Sequence, residues 1–500
     1  MTTAFRAVLA FCLLAGFYVL VGVIVAAAVA LDVLLIIDFR VTLVKFAVVT
    51  TLAAGALIRA LIMVSRRQEG EQPGVAVTRE HEPVLWQTVE DLARRVRTAP
   101  PDEIRLVPEV NAAVAEETRF LGLKAVRRRM YVGLPLMQTL TVDEMRAVLG
   151  HELGHYSGAH TRLGAPVYRG RVSLLATVQG LDRHPFVQRL FTWYAKLYLR
   201  VSQAVSRRQE LEADAFAVAI GGRQAMAEAL RKIHYTAAAW DLYTGGYLSM
   251  AGAGGFRPAA VFGGFQSLLN DPSRQAELAE LAARPEETSP YDSHPSLAER
   301  LAALERLPEP ELVPDPRPAL TLLRDADVAA GAVEESLWTP EALTVLRPVS
   351  WDELVSKGLY EVRNAEALRD LAVAGARVVG ASRPYVDAAF EAIARGRQGE
   401  LEERLRELGW EPGEGLLARV LGAALEGLLI SHGQARWTLS WSGPARLLYD
   451  DGEEVALMEY AAAVAADSRA VGGLRAWLGD QGVRHDYVPS EAEQVAVPAS

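Results

Sequence analysis

The stretch Thr141-Val142-Asp143-Glu144-Met145-Arg146-Ala147-Val148-Leu149-Gly150-His151-Glu152-Leu153-Gly154-His155 decides how the rest of this chain is read. Thr141 is a helix-capping residue, Asp143 and Glu144 put negative charge at the positive end of a helix dipole, and the apolar residues that follow form a helical stripe. A partly buried helix is expected here. On such a helix, residues four apart stack on one face, so His151 and His155 offer two imidazole nitrogens to one point while Glu152 projects beside them. Two imidazoles with an adjacent carboxylate at this spacing are the donor set of a zinc site with a general base attached.

Such a site needs a third protein ligand. The only cysteine, Cys12, lies in an apolar run, so no intrachain disulfide and no thiolate cluster is available, and the ligands are expected to be histidine and carboxylate. Position 161, where one zinc-protease pattern places a third histidine, is threonine, and His160 stands one place early and reads as a surface residue or as one that supports a ligand from behind. The segment Ser206-Arg207-Arg208-Gln209-Glu210-Leu211-Glu212-Ala213-Asp214 supplies the best carboxylates. Glu210 and Asp214 share a helix face, so one can bind metal while the other orients a ligand histidine through its free N–H; Glu212 points roughly the other way.

Half of the 500 residues are hydrophobic, enough for two or three domains with real cores. The formal charge of −10 is spread along the chain without a basic cluster, so a nucleic-acid partner is not expected. From Val8 to Ile37 the sequence is almost wholly apolar, longer than a signal peptide's core and long enough to cross a bilayer. A second apolar run covers Val41 to Val64. Residues 1–67 are thus expected to form a membrane hairpin, with spans at 8–37 and 41–64 and the lipid bilayer as a partner. Arg6 before the first span and Arg66-Arg67 after the second place both ends in the cytoplasm.

Beyond a polar linker at 68–78, helical spacing from Glu82 to Arg97 predicts a helix, and Ile104–Val107 and Arg129–Val132 read as short strands, with Asn111 in the connecting run. Between Leu163 and Tyr198 apolar stretches are broken by cations such as Arg183, Arg189 and Lys196, and neither reaches spanning length; they are expected on the membrane surface or over the catalytic core. The glycine-rich passage from Gly245 to Gly264 is expected as a mobile surface loop, the alternative being a lid over the cleft. Ser296 is positioned to cap a helix running to about Leu307, with His294 just before it.

With these pieces in place, residues 75–307 resemble the HtpX-like family of membrane zinc metalloproteases, relatives of the CAAX prenyl endopeptidases. The resemblance rests on Val-Leu-Gly-His-Glu-Leu-Gly-His at 148–155, Ser-Arg-x-x-Glu-x-x-Ala-Asp at 206–214, and Ser-His-Pro with Arg300 at 293–300. It implies His151, His155 and Glu210 as ligands of one catalytic Zn2+, Glu152 as general base, Asp214 as the partner of a ligand histidine, and His294 as a stabiliser of the transition state. Asn111 matches an asparagine thought to contact the substrate backbone, although Val110 and Ala113 depart from the family's proline and phenylalanine. Members often carry a second pair of spans before the third ligand, and this sequence has no clear pair there.

The fold expected is mainly α with a small β-sheet: a gluzincin-type zinc metallopeptidase core at 75–307 behind the membrane hairpin, and an α+β domain at 318–487. A proline-rich linker from Leu307 to Pro318 separates the last two. The C-terminal domain reads as helices, among them Tyr385–Ala394 and Glu400–Leu408, with a hairpin from Arg436–Trp441 to Ala445–Tyr449. No chemistry is legible in it, and the last dozen residues read as disordered. The function expected is a membrane-anchored zinc endopeptidase cleaving protein or peptide substrates, which the resemblance suggests include damaged membrane proteins. Its setting would be a bacterial-type inner or plasma membrane with the catalytic domain in the cytoplasm. The alternative is a zinc-stabilised scaffold with vestigial hydrolysis whose C-terminal domain recruits a partner.

Overall fold

The computed structural model describes residues 3–38, 72–119, 124–156, 174, 178, 185–282 and 295–489. The chain divides into two compact units, the first made of Met1–Trp240 with Leu278–Leu337 and the second of Asp241–Glu277 with Trp338–Ser500.

In the first unit, helix α1 (Thr3–Asp38) runs for 36 residues. The long helix α5 (Pro185–Gly221) packs on it through Phe17, Val21, Phe191, Ala195 and Tyr198, with Phe17 and Phe191 edge-to-face at 5.6 Å. The described end of the cation-broken apolar region, from Pro185 to Tyr198, is therefore the first part of a helix that packs Phe191, Ala195 and Tyr198 against α1, while most of 163–184 lies outside the described residues. Among the described residues no helix is long and apolar enough to cross a membrane. The expected first span falls on α1, several of whose side chains are outside the description, and the second, 41–64, lies wholly outside the described residues.

Strand β1 (Val75–Val77), helix α2 (Pro83–Arg95) and strands β2 (Glu103–Val107), β3 (Ala112–Arg119) and β4 (Lys124–Gly133) follow. The four strands form one sheet in the order β1-β2-β4-β3, with β2 parallel to β4 and the other pairs antiparallel. Helix α2 and strands β2 and β4 fall where periodicity placed them. Strand β3 does not: Ala-Ala-Val-Ala-Glu-Glu-Thr-Arg is poor in β-branched and aromatic residues, and it is held as a strand by its pairing with β4. There Glu116 lies opposite Arg128 and pairs with it at 2.7 Å.

Helices α3 (Leu134–Thr139) and α4 (Val142–Gly154) bring the chain to the His-Glu segment, and α6 (Arg223–Gly246) follows α5. The proline-rich stretch expected as a linker is a docked strap. Arg317 and Asp315 carbonyls accept from the Val142 and Asp143 N–H groups at 2.8 and 3.3 Å, and the Ala319 N–H donates to Leu140 at 2.8 Å. The Val142 and Asp143 N–H groups are first-turn donors of α4 that a helix cannot satisfy itself.

In the second unit, helices Glu366–Val379, Val386–Ala394, Gln398–Glu407 and Leu416–Ser431 enclose a core that includes Leu371, Phe390, Leu405, Leu421 and Leu425. Gly375 is required there, since a Cβ would lie 2.3 Å from the Ala389 nitrogen. The glycine-rich passage is not a surface loop. It folds into two 3-10 turns, strand β5 (Phe256–Pro258), paired in parallel with β6 (Arg347–Val349), and a helix, Val261–Asn270, that buries Phe262 and Phe265. Its aromatic and aliphatic residues outweigh its glycines. The expected hairpin is present as β7 (Ala435–Thr438) and β8 (Arg446–Tyr449). The last residues, 490–500, lie outside the described residues.

Candidate metal centre

Helix α4 starts on a reciprocal cap: the Glu144 N–H donates to Thr141 Oγ1 at 3.3 Å and the Thr141 N–H to Glu144 Oε2 at 2.8 Å. Lys232 Nζ holds the same carboxylate at 2.8 Å. With its start fixed by the cap and the strap, α4 lies against α5 at a distance set by small residues. A Cβ on Gly150 would meet Ile220 Cδ1 at 2.8 Å, and one on Gly221 would meet Ala147 Cβ at 2.7 Å. This close approach brings the carboxylates of α5 to the histidines of α4.

The histidines and Glu210 converge. His151 Nε2 and His155 Nε2 are 3.2 Å apart, His151 Nε2 is 3.5 Å from Glu210 Oε2, and His155 Nε2 is 3.7 Å from Glu210 Oε1. Ligand atoms bound tetrahedrally at about 2.0–2.1 Å from one zinc ion lie about 3.3–3.4 Å from each other, so the three donors already stand at the spacing of one ion's coordination shell. Nitrogen, nitrogen and carboxylate oxygen are also the donors zinc takes in three-ligand sites. The residues present fit the ion. His151 and Glu210 are buried, with 8% side-chain exposure each, while His155 is 27% exposed and forms the open side.

Behind the donors runs a second layer. Asp214 Oδ1 accepts from His151 Nδ1 at 2.9 Å, which leaves Nε2 as the nitrogen directed at the donor cluster. Asp214 is 1% exposed, and Arg300 holds it with two bonds, Nε to Oδ2 at 3.0 Å and Nη2 to Oδ1 at 2.5 Å. Burial alone would raise the Asp214 carboxyl, but its bonds to His151 and Arg300 hold it below the usual carboxylate range. Burial also opposes charge on His151; Asp214, Glu210 and Glu152 outweigh it and raise the imidazole to about 9. Arg300 is the residue whose part the sequence reading left unassigned, although it stood in the quoted motif; it lies on the helix Leu297–Leu304, which Ser296 caps as expected.

Glu152 is half-buried on α4 beside His151. Glu212 is turned away and pairs with Arg208 at 2.8 Å. Asn111 is exposed at the start of the edge strand β3, where its carbonyl accepts from the Gly133 N–H at 2.7 Å. His294 and His160 lie outside the described residues.

Residues 79–307 match the family model described as Peptidase family M48. The chain is similar to Protease HtpX of Ectopseudomonas mendocina (strain ymp), 27% identical over 213 residues that cover 36% of this chain and 67% of that protein. It is also similar to Protease HtpX of Pseudomonas entomophila (strain L48), at 29% over 202 residues, 36% of this chain and 66% of that protein. A third, Protease HtpX of Pseudomonas aeruginosa (strain LESB58), is 29% identical over 184 residues, 31% of this chain and 57% of that protein. The chain therefore spans between 57% and 67% of the length of these curated relatives. No solved structure matches.

Proposed function

From the premise that over residues 79–307 this chain is an HtpX-like member of peptidase family M48, we propose that it is a membrane-anchored, zinc-dependent endopeptidase. The observation that carries this reading is the convergence of His151, His155 and Glu210, whose donor atoms lie within 4.8 Å of one another. The chemistry is assigned to a peptidase domain at 75–307, and residues 318–487 are kept as a separate α+β domain. In the fold, segment 241–277 packs with the second of these.

Zinc held by the three residues supplies a Lewis acid and brings the pKa of a water down to about 7. The rest is done by the chain. The Glu152 carboxylate takes the proton of the attacking water and returns it to the leaving amine nitrogen, two transfers that need one carboxylate at one place. Asp214 keeps the His151 Nδ1–H occupied, and Arg300 keeps Asp214 ionised and oriented for that bond. His294 is proposed as a donor to the developing oxyanion, and Asn111, at the exposed start of an edge strand, as a contact to the substrate backbone.

Membrane anchoring is proposed from the apolar sequence between Val8 and Ile37. Arg6 and Arg66-Arg67 support a cytoplasmic catalytic domain in a bacterial-type membrane. Proteins of that membrane, damaged ones included, are the proposed substrates.

The reading is tested with Glu152→Gln. Zinc content should match the wild type because no ligand is touched, while casein cleavage by detergent-purified protein should fall by about 10²–10⁴-fold, as the loss of a general base does. Cleavage by the variant at the wild-type rate would overturn the proposed mechanism.

A further inference from the structure

The second unit contains a cleft of about 730 Å3 lined by Ser440 and 442–447 of the hairpin, by 454–459, and by Arg363, Glu426 and Trp437. Its floor is apolar, since Trp437, Leu447, Val455 and Leu457 are all buried. The Arg363 guanidinium lies over the Trp437 ring at 5.2 Å and pairs with Glu426 at 3.0 Å. Arg363 belongs to a π-helical turn, Tyr360–Ala365, a rare form that recurs at functional sites.

The wall formed by residues 454–459 presents a strand edge. The Tyr449 N–H donates to Glu453 at 2.9 Å and the Val455 N–H to Leu447 at 2.8 Å, so Glu453–Val455 lies along β8 as a short third strand. Antiparallel pairing of that kind turns the N–H and C=O of the intervening residue outward. Neither the backbone groups of Glu454 nor those of Ala456 have a partner among the described residues. The charged side chains are also unpaired: Arg446 on β8 and Glu454 and Glu459 on the segment beside it are exposed, without an ion pair among the described residues.

We propose that this cleft binds an extended, unfolded polypeptide segment. The segment adds to the Glu454–Ala456 edge by backbone hydrogen bonds, sets an apolar side chain on the apolar floor, and meets Arg446 with an acidic group and Glu454 or Glu459 with a basic one. Charges of both signs match a mixed-charge peptide and not a polyanion or an anionic lipid surface. This proposal rests on the protease reading, because the occupant is taken to be a stretch of substrate chain distant from the scissile bond.

The test is equilibrium binding of fluorescein-labelled β-casein, an unfolded chain, to the full-length Glu152→Gln protein, with zinc and after its removal by a chelator. Binding should persist without zinc. It should weaken at least about tenfold in the added variant Ala456→Pro, which removes an unpaired N–H and leaves both bonds to β8 in place, and be retained in Ala456→Gly. Arg446→Glu, a surface change independent of backbone tolerance, should weaken it about fivefold. Equal binding by the parent, Ala456→Pro and Arg446→Glu would overturn the proposal, as would binding that vanishes with zinc. Self-association of the chain that Ala456→Pro abolishes would assign the cleft to a second copy and overturn it equally. Failure of the wild type to cleave casein would break the protease reading while leaving this binding readout intact.

Discussion

Two polar networks, one in each unit, are each built on an arginine that grips a buried carboxylate, and they end differently. In the first, Arg300 grips Asp214 with two bonds and Asp214 holds His151, and beyond His151 the donors of His155 and Glu210 face it across the width of one ion. In the second, Arg363 grips Glu426 at 3.0 and 3.2 Å, Asn364 Nδ2 donates to Glu426 at 3.0 Å, and Asn364 Oδ1 accepts from Trp437 Nε1 at 2.8 Å. That chain of bonds closes on itself and fixes the packing of the π-helical turn on the helix Leu416–Ser431. A buried carboxylate gripped by an arginine is therefore no sign of function by itself. What distinguishes the first network is that its last members turn metal-binding atoms toward a common point.

The distinction can be broken by mutation. Asp214→Ala and Arg300→Ala should each weaken zinc affinity by about 10–100-fold, because the orientation of His151 is lost. Arg300→Lys should recover only part of it, since an ammonium cannot reproduce the two-pronged grip. Competition titrations with a zinc chelator read both, and wild-type affinity in Arg300→Ala would remove that residue from the site. Glu426→Ala should instead cost about 1–3 kcal/mol of stability by stranding polar partners, seen as a lower urea midpoint, with zinc content unchanged. A loss of zinc there would erase the contrast between the networks.

A smaller effect sharpens the first network. The His151 pKa, about 9, lies above the ordinary value of about 6.5 for a histidine. A raised folded-state value stabilises zinc-stripped protein fully below the unfolded value, and that contribution is lost as pH rises through 9. At pH 7 the stripped site therefore holds this proton, and zinc must displace it. Calorimetry in buffers of different ionisation enthalpy should detect release of about one proton on zinc binding at pH 7 and less as pH approaches 9.

Much of the metal centre was legible because its signal is local. His151 and His155 are four apart on one capped helix, and Glu210 and Asp214 are four apart on another. The partner of Asp214 was not, since Arg300 stands 86 residues away and only packing joins them. The strap over α4 was hidden for the same reason, because its prolines read as a linker and its carbonyls carry no signature. Strand β3 carries no local signature, because its alanines and glutamates override their own propensity when paired to β4, and the passage 245–264 folds on Phe256, Phe262 and Phe265 in spite of its glycines. In the second unit the hairpin and the helices around 386–394 and 398–407 followed their periodicity closely.

The central claim is that His151, His155 and Glu210 hold one zinc ion. It is tested most directly by metal analysis of purified Glu210→Ala beside Glu212→Ala, two carboxylates on the same helix of which the first faces the histidines and the second pairs with Arg208. The account predicts about one zinc per chain in the Glu212 variant and almost none in the Glu210 variant. Zinc retained in Glu210→Ala and lost in Glu212→Ala would contradict it.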